Sequence, residues 1–211
     1  MRRSLASLAL VAACGKPPVA APAAPACPAD RRLVLASQDE VRRAIACTSA
    51  QSVVVRTGAS VDLAPLGQLA AIVGDLVIGP TVGVDELALP HLRSVGGAIR
   101  VDSNGSLRGL YLPELERAGE IEIAGNGALA AVSMPRLVAV GGGMLVTDNA
   151  TLEALEAPAL TTIGKELVIA GAPVLTLLEL GALVKDGGIR LERLPALPDD
   201  VRERLGKPAP P

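Results

Sequence analysis

The amino-acid sequence predicts a mainly β protein: a right-handed β-solenoid of about seven coils with a short helical cap at each end. Two observations carry this prediction, a strand-like pattern that returns every 22 or 23 residues and a hydrophobic content that is almost wholly aliphatic. Half of the 211 residues are hydrophobic, yet the chain has no Phe, no Trp and one Tyr. Stacked Val, Ile and Leu side chains fill a narrow solenoid, whereas a large ring in one coil needs compensation in its neighbours.

The first 13 residues are predicted to be the signal peptide of a bacterial lipoprotein. Arg2 and Arg3 precede an apolar segment over residues 5–13 that is too short to cross a bilayer as a folded anchor. The residues Val-Ala-Ala-Cys at 11–14 resemble a lipobox, which implies that Cys14 is acylated and becomes the mature amino terminus. Because Gly15 rather than Asp follows the cysteine, the sorting rule attached to that resemblance favours the outer membrane. An ordinary secretory peptide with a chance cysteine is the alternative.

Residues 14–30 are predicted to be a lipidated tether, because five prolines and many alanines can neither build a core nor continue a helix. The two remaining cysteines, Cys27 and Cys47, are an even number in an exported protein. A disulfide between them is therefore expected, with free thiols as the alternative.

A cap helix is predicted at about residues 37–47. Ser37 and Glu40 have the spacing of a capping box, and Val41, Ala44 and Ile45 fall on one helical face. This face is expected to cover the apolar end of the first coil.

Each coil, within the span 31–197, is predicted to contain two short strands. Both are triplets with apolar first and third residues, as expected for strands with one buried face. The first strands are predicted at 53–55, 76–78, 99–101, 121–123, 144–146, 167–169 and 189–191, and the second at 61–63, 87–89, 110–112, 132–134, 155–157 and 178–180. Proline follows most second strands, because it lacks the N–H that a strand residue donates. A glycine turn precedes the next first strand, because glycine allows the backbone to turn sharply.

Asparagine recurs three residues after three of the first strands, as Asn104, Asn126 and Asn149. The spacing aligns their amides in adjacent coils, where they are expected to form a hydrogen-bonded ladder. Glycosylation sequons cover only Asn104 and Asn149, so the ladder explains more of the pattern. After the last coil, residues 198–211 are predicted to form a short cap helix, ended by Gly206, and a disordered tail.

The coil "LPHLRSVGGAIRVDSNGSLRGLYL" at 89–112 and its copies resemble the receptor L domain, a leucine-rich-repeat-like family found in receptor ectodomains and bacterial envelope proteins. The resemblance covers about residues 27–197 and implies that the helix between Cys27 and Cys47 is a disulfide-tied cap. It also implies a role in recognition, but it carries over no binding residue. The sequence departs from the pattern at Thr81, Ala172 and Leu194, which stand where Asn is expected.

The composition argues against several functions. Acidic and basic residues are interleaved, with a net charge of −2, so no basic stripe is available for nucleic acid. No nucleotide-binding, nucleophile-elbow or zinc spacing is present, and His91, the single histidine, falls in a predicted exposed turn. No metal or other cofactor is expected.

The sequence therefore favours a non-catalytic, lipid-anchored envelope protein that presents a sheet face to a protein or an envelope polymer. The candidate face consists of outward residues on the second strands, namely Tyr111, Ser133, Glu156 and Glu179. The outward row of the first strands is partly apolar and is expected to pair Arg100 with Glu122. Two alternatives remain open: a polysaccharide-active β-helix enzyme that uses Glu156 and Glu179, and a passive structural spacer.

Overall fold

The computed structural model describes residues 27–28, 30–184 and 187–206, and these fold into a β-solenoid of about seven turns. The mainly β fold class predicted from the period is confirmed. The predicted signal peptide, Cys14, most of the tether and the residues after Gly206 lie outside the described residues.

The first sheet has twelve parallel strands, eight of which follow one another in chain order along the rod. Each strand pairs with the next coil in the register that the period implies, so that Val77 lies beside Arg100 and Arg100 beside Glu122. At about 4.8 Å per strand the sheet is roughly 34 Å long. These eight strands are β1 (Arg32–Leu35), β3 (Ser52–Thr57), β5 (Leu76–Thr81), β7 (Ser94–Asp102), β9 (Arg117–Ala124), β12 (Met144–Thr147), β15 (Leu167–Ala170) and β17 (Ile189–Glu192).

The second sheet has five parallel strands and lies on another side of each coil. Its strands match five of the six predicted second triplets to within one residue. They are β6 (Glu86–Ala88), β8 (Gly109–Tyr111), β10 (Ala131–Ser133), β13 (Ala154–Ala157) and β16 (Leu177–Leu180).

The predicted strand at 61–63 is wrong, because a helix side chain takes the place of a neighbouring strand. The Gln38 side chain donates to the Asp62 carbonyl oxygen (3.0 Å) and accepts from the Asp62 N–H (2.7 Å). The chain then enters a 3₁₀ turn, Ala64–Gln68, with Pro65 in its first turn. Val61 and Leu63 still point into the core, as the alternation requires.

A third short strand occurs at the corner where the sequence indicates only a glycine turn. It is formed by β2 (Ser49–Ala50), β4 (Ala71–Ile72), β11 (Ala139–Val140), β14 (Thr162–Ile163) and the first residues of β7 and β9. Glycine is required directly after this strand because the coils approach closely there. A Cβ added to Gly164 would lie 1.9 Å from the carbonyl oxygen of Gly141, and one added to Gly96 would lie 2.2 Å from that of Val73.

The asparagine ladder is confirmed and is longer than predicted. The Nδ2 of Asn104 donates to Asn126 Oδ1 (2.9 Å), and the Nδ2 of Asn126 donates to Asn149 Oδ1 (3.0 Å). The Thr81 hydroxyl donates to Asn104 Oδ1 (2.7 Å), so this departure from the Asn pattern begins the ladder. All three amides are fully buried, which leaves none of them open to glycosylation in the folded chain.

The amino-terminal cap contains a strand that the sequence pattern did not indicate. This strand, β1, precedes the helix and pairs with β3. The helix α1 (Gln38–Arg43) continues as a 3₁₀ turn, Ala44–Ala46. Val41 and Ala44 are buried as predicted, but Ile45 is 45% exposed because the tighter 3₁₀ turn rotates it off the buried face. The expected disulfide between Cys27 and Cys47 is present.

The carboxyl-terminal cap is the helix α2 (Asp199–Gly206), close to the predicted bounds. Its Leu205 is buried, as are Leu194 and Leu197 in the connection before it. Together they cover part of the apolar end of the rod.

Candidate functional site

The candidate face is the outward surface of the second sheet, here called the second-sheet face. The parallel register aligns Tyr111 with Ser133, Ser133 with Glu156, and Glu156 with Glu179, so the four predicted residues form one row. A second row on the same surface consists of Glu86, Gly109, Ala131, Ala154 and Leu177. Small side chains therefore make up most of the middle of the face.

Tyr111 lies across the sheet surface instead of standing out from it. A Cβ added to Gly109 would be 2.4 Å from Tyr111 Cε2 and 2.7 Å from its hydroxyl oxygen, so the ring occupies the space above Gly109. The side chain remains 37% exposed. An aromatic ring over a strand glycine replaces the packing that the glycine lacks. The sequence identified Tyr111 as an outward aromatic, but it did not show the role of Gly109, which has no counterpart in the other second strands.

The second-sheet face is acidic, and its carboxylates are not neutralised by the protein. Glu86, Glu156 and Glu179 lie on the sheet, and Asp85 and Glu153 lie directly before β6 and β13, at the same corner as Arg108, which precedes β8. None of these five carboxylates forms an ion pair with another described residue. Glu156 and Glu179 are on adjacent strands, about one strand spacing apart.

The outward face of the first sheet is different because its charges are largely paired within the protein. Arg100 lies 3.5 Å from both Asp75 and Glu122, which confirms the predicted pair, and Arg190 lies 2.9 Å from Glu166. Val54, Val77 and Leu145 are half-buried on this face, whereas Val168, predicted to contribute to its apolar surface, is only 8% exposed. Arg32, Arg56 and Asp102 on the same face form no ion pair in the part of the chain that the structure describes, so the pairing is confined to the clusters around Arg100 and Arg190.

Four cavities with volumes of about 210 to 450 Å³ lie elsewhere on the described surface. One lies between β1 and α1, one beside β17 and α2, one near Asp148 and Arg193, and one along the glycine corner. Glu156 and Glu179 line none of these four cavities. Among the described residues, no three Asp, Glu, His or Cys side chains lie close enough together to hold a metal ion. His91 is exposed in a turn, as predicted.

These features define the class of the protein as a β-solenoid with two exposed sheet faces of different charge character. Scans of the chain against protein-family models, curated proteins and solved structures found no match. Within the described ranges, no helix has the length and apolar content needed to cross a membrane.

Proposed function

We propose that this chain is a non-catalytic, lipid-anchored protein of the cell envelope that recognises a protein or an envelope polymer through its second-sheet face. The observation that carries this proposal is the combination of an exposed Tyr111 ring, a small-residue surface and carboxylates without an ion-pair partner. Exposed aromatic side chains are enriched where proteins bind partners. The unpaired carboxylates leave charges available for an external partner.

The resemblance to the receptor L domain supports the same role, since that family contributes to ligand binding in receptors. The location is inferred from residues 11–14, whose resemblance to a lipobox implies acylation of Cys14, with the domain beyond the tether. An anchored outer-membrane protein with this geometry faces either the periplasm or the cell surface.

The location is tested with Cys14→Ser in the native cells. The wild-type chain should partition with the outer-membrane fraction and incorporate labelled fatty acid, whereas the variant should do neither, because it lacks the acylated thiol. Lipid incorporation that is unchanged in the variant would contradict the anchor.

The face is tested by proximity labelling from the anchored protein, with Tyr111→Ala compared with Arg100→Ala. Both substitutions change a partly exposed strand residue, but only Tyr111 lies on the second-sheet face. We expect the Tyr111 variant to lose the labelled partner and the Arg100 variant to retain it. A partner labelled equally by all three proteins would contradict binding through Tyr111, and a wild-type chain that labels no specific partner would favour the passive spacer.

A further inference from the structure

Strand β17 is the carboxyl-terminal edge of the first sheet, and no described strand pairs with its outer side. The Leu167 N–H donates to the Gly188 carbonyl oxygen (2.9 Å), and the Gly171 N–H donates to that of Glu192 (3.1 Å). The even-numbered residues of β17 therefore point their N–H and C=O groups toward β15. Because the groups of successive residues point to opposite sides of a strand, those of Ile189 and Leu191 point away from the sheet.

The inward side chains of this edge strand are incompletely covered. Leu167 and Ile169, one strand earlier in the rod, are fully buried, whereas Ile189 and Leu191 are only partly buried. Ile189 and Leu191 line a cavity of about 250 Å³ together with Arg202 of α2. The apolar ladder of the rod thus ends at a strand with free backbone groups and accessible aliphatic side chains.

The sequence of β17 is complementary to itself in one antiparallel register. A twofold axis through Leu191 places this residue opposite Leu191 of a second copy. The outward N–H and C=O of the two residues then bond to each other, so they form a hydrogen-bonded pair. Arg190 then lies opposite Glu192 of that copy, and Glu192 lies opposite its Arg190. Both positions are non-hydrogen-bonded pairs, in which Cα atoms are about 4.5 Å apart and side chains approach closely.

We propose that two copies of this chain join through β17 in this register to form a tail-to-tail dimer with a continuous first sheet. The alternative, head-to-tail stacking of β17 on β1, continues the parallel register and places Val34 of the next copy beside Arg190. That arrangement forms no new ion pair. Within one chain Arg190 already lies 2.9 Å from Glu166 and 3.8 Å from Glu192. In the tail-to-tail dimer it also faces Glu192 of the other copy on each side of the axis, so the two charge clusters join, and the amino-terminal ends of the two rods lie at opposite ends of the assembly.

Charge reversal tests this pairing. The full chain is purified in detergent, and its mass is measured by light scattering after size-exclusion chromatography and corrected for bound detergent. Glu192→Arg places arginine opposite arginine twice, so we expect dissociation of the dimer and a dissociation constant raised more than about a hundredfold. The double variant Arg190→Glu/Glu192→Arg restores opposite charges across the axis and should restore the dimer. Arg100→Glu, in the same outward row at mid-rod, is the matched control and should leave the dimer intact.

Circular dichroism of each variant shows whether it has folded. A monomeric wild-type chain at every concentration would overturn the proposal, as would a Glu192→Arg variant that dimerises as tightly as wild type. Polymers larger than a dimer would indicate the head-to-tail alternative. Failure of this test leaves the proposed recognition function intact, because the second-sheet face and the β17 edge are separate surfaces.

Discussion

At the scale of single residues, the asparagine ladder shows how a solenoid satisfies polar groups in its interior. The Oδ1 atoms of Asn126 and Asn149 each accept two hydrogen bonds from the asparagine of the preceding coil, one from its side chain and one from its backbone. The ladder ends at Asn149, because Ala172 takes the asparagine position in the next coil, and the Nδ2 of Asn149 donates to the carbonyl oxygens of Ile123 and Thr147. No buried side-chain polar atom of the described residues lacks a partner.

Asn126→Ala should therefore be strongly destabilising. The substitution removes the Oδ1 that accepts the Asn104 N–H and the Nδ2 that donates to the Val101 carbonyl and to Asn149 Oδ1. The Asn104 and Asn149 side chains keep other partners, but the buried Asn104 N–H and Val101 carbonyl lose these bonds, and a buried polar group left unpaired costs about 1–3 kcal/mol. We expect the free energy of unfolding to fall by about 3 kcal/mol, measured by urea denaturation. Glu153→Ala, an exposed substitution whose carboxylate has no ion pair, is the control and should change the free energy by less than about 0.5 kcal/mol.

At the scale of elements, the alternation of each short strand decides which residues can tolerate a charge. Ile123 is fully buried in β9, whereas Glu122, the preceding residue, is half-buried on the outer face beside Arg100. Equivalent strands of successive coils stack on one another, so their inward residues form continuous apolar rows. A substitution that disrupts one strand therefore also affects the strands on both sides of it.

Ile123→Asp should prevent folding, because it places a carboxylate inside the apolar ladder without a partner. Glu122→Gln removes only an exposed ion pair and should cost less than about 1 kcal/mol. Circular dichroism and urea denaturation of the two variants test the strand register directly. A stable, folded Ile123→Asp protein would contradict the inward assignment of this position.

The cap helix has its own pH-dependent contact. The Glu40 carboxylate accepts the Ala36 N–H (2.7 Å) and the Ser37 hydroxyl (3.2 Å), and these bonds, led by the Ala36 N–H, hold the pKa of Glu40 below its usual 4.5. This differs from the predicted capping box, in which Ser37 caps the helix backbone, because the Ser37 side chain makes no cap bond.

A carboxylate whose pKa is lowered on folding stabilises the protein above its unfolded pKa, and this contribution is lost as the pH falls through the folded value. Wild type should therefore be more stable than Glu40→Gln at pH 7, and the difference should shrink as the pH falls below about 4.5. Urea denaturation of both proteins between pH 7 and pH 3 measures this difference. A difference that is constant over that range would show that the carboxylate contact makes no contribution.

At the scale of the whole molecule, the rod is stabilised by contacts between neighbouring coils, so its ends are the least protected parts. The amino-terminal end depends on β1, α1 and the disulfide between Cys27 and Cys47, which are separated by 20 residues. The carboxyl-terminal end has no such bond within the described residues, and its last strand is only partly covered by α2.

Reduction of the disulfide should lower stability by about 3 kcal/mol, the value expected for closure of a loop of about this length. The loss should begin locally, because coils far from the cap keep their own neighbours. Hydrogen exchange should show faster exchange in β1 and α1 after reduction, with little change in β9 and β12. Uniformly faster exchange along the rod would instead indicate one cooperative unit.

The sequence alone determined the solenoid, the first strands, five of the six predicted second strands, the asparagine ladder and the row that contains Tyr111, Ser133, Glu156 and Glu179. It did so because a constant period places equivalent residues in adjacent coils, so register follows from spacing without knowledge of distant contacts.

The tertiary structure alone decided the features that do not repeat. The pairing of Gln38 with the backbone of Asp62, the strand β1, the ring of Tyr111 over Gly109 and the partly covered edge at β17 each depend on one local contact. Such a contact leaves no periodic signal, because its energy comes from side chains that meet only once in the folded chain.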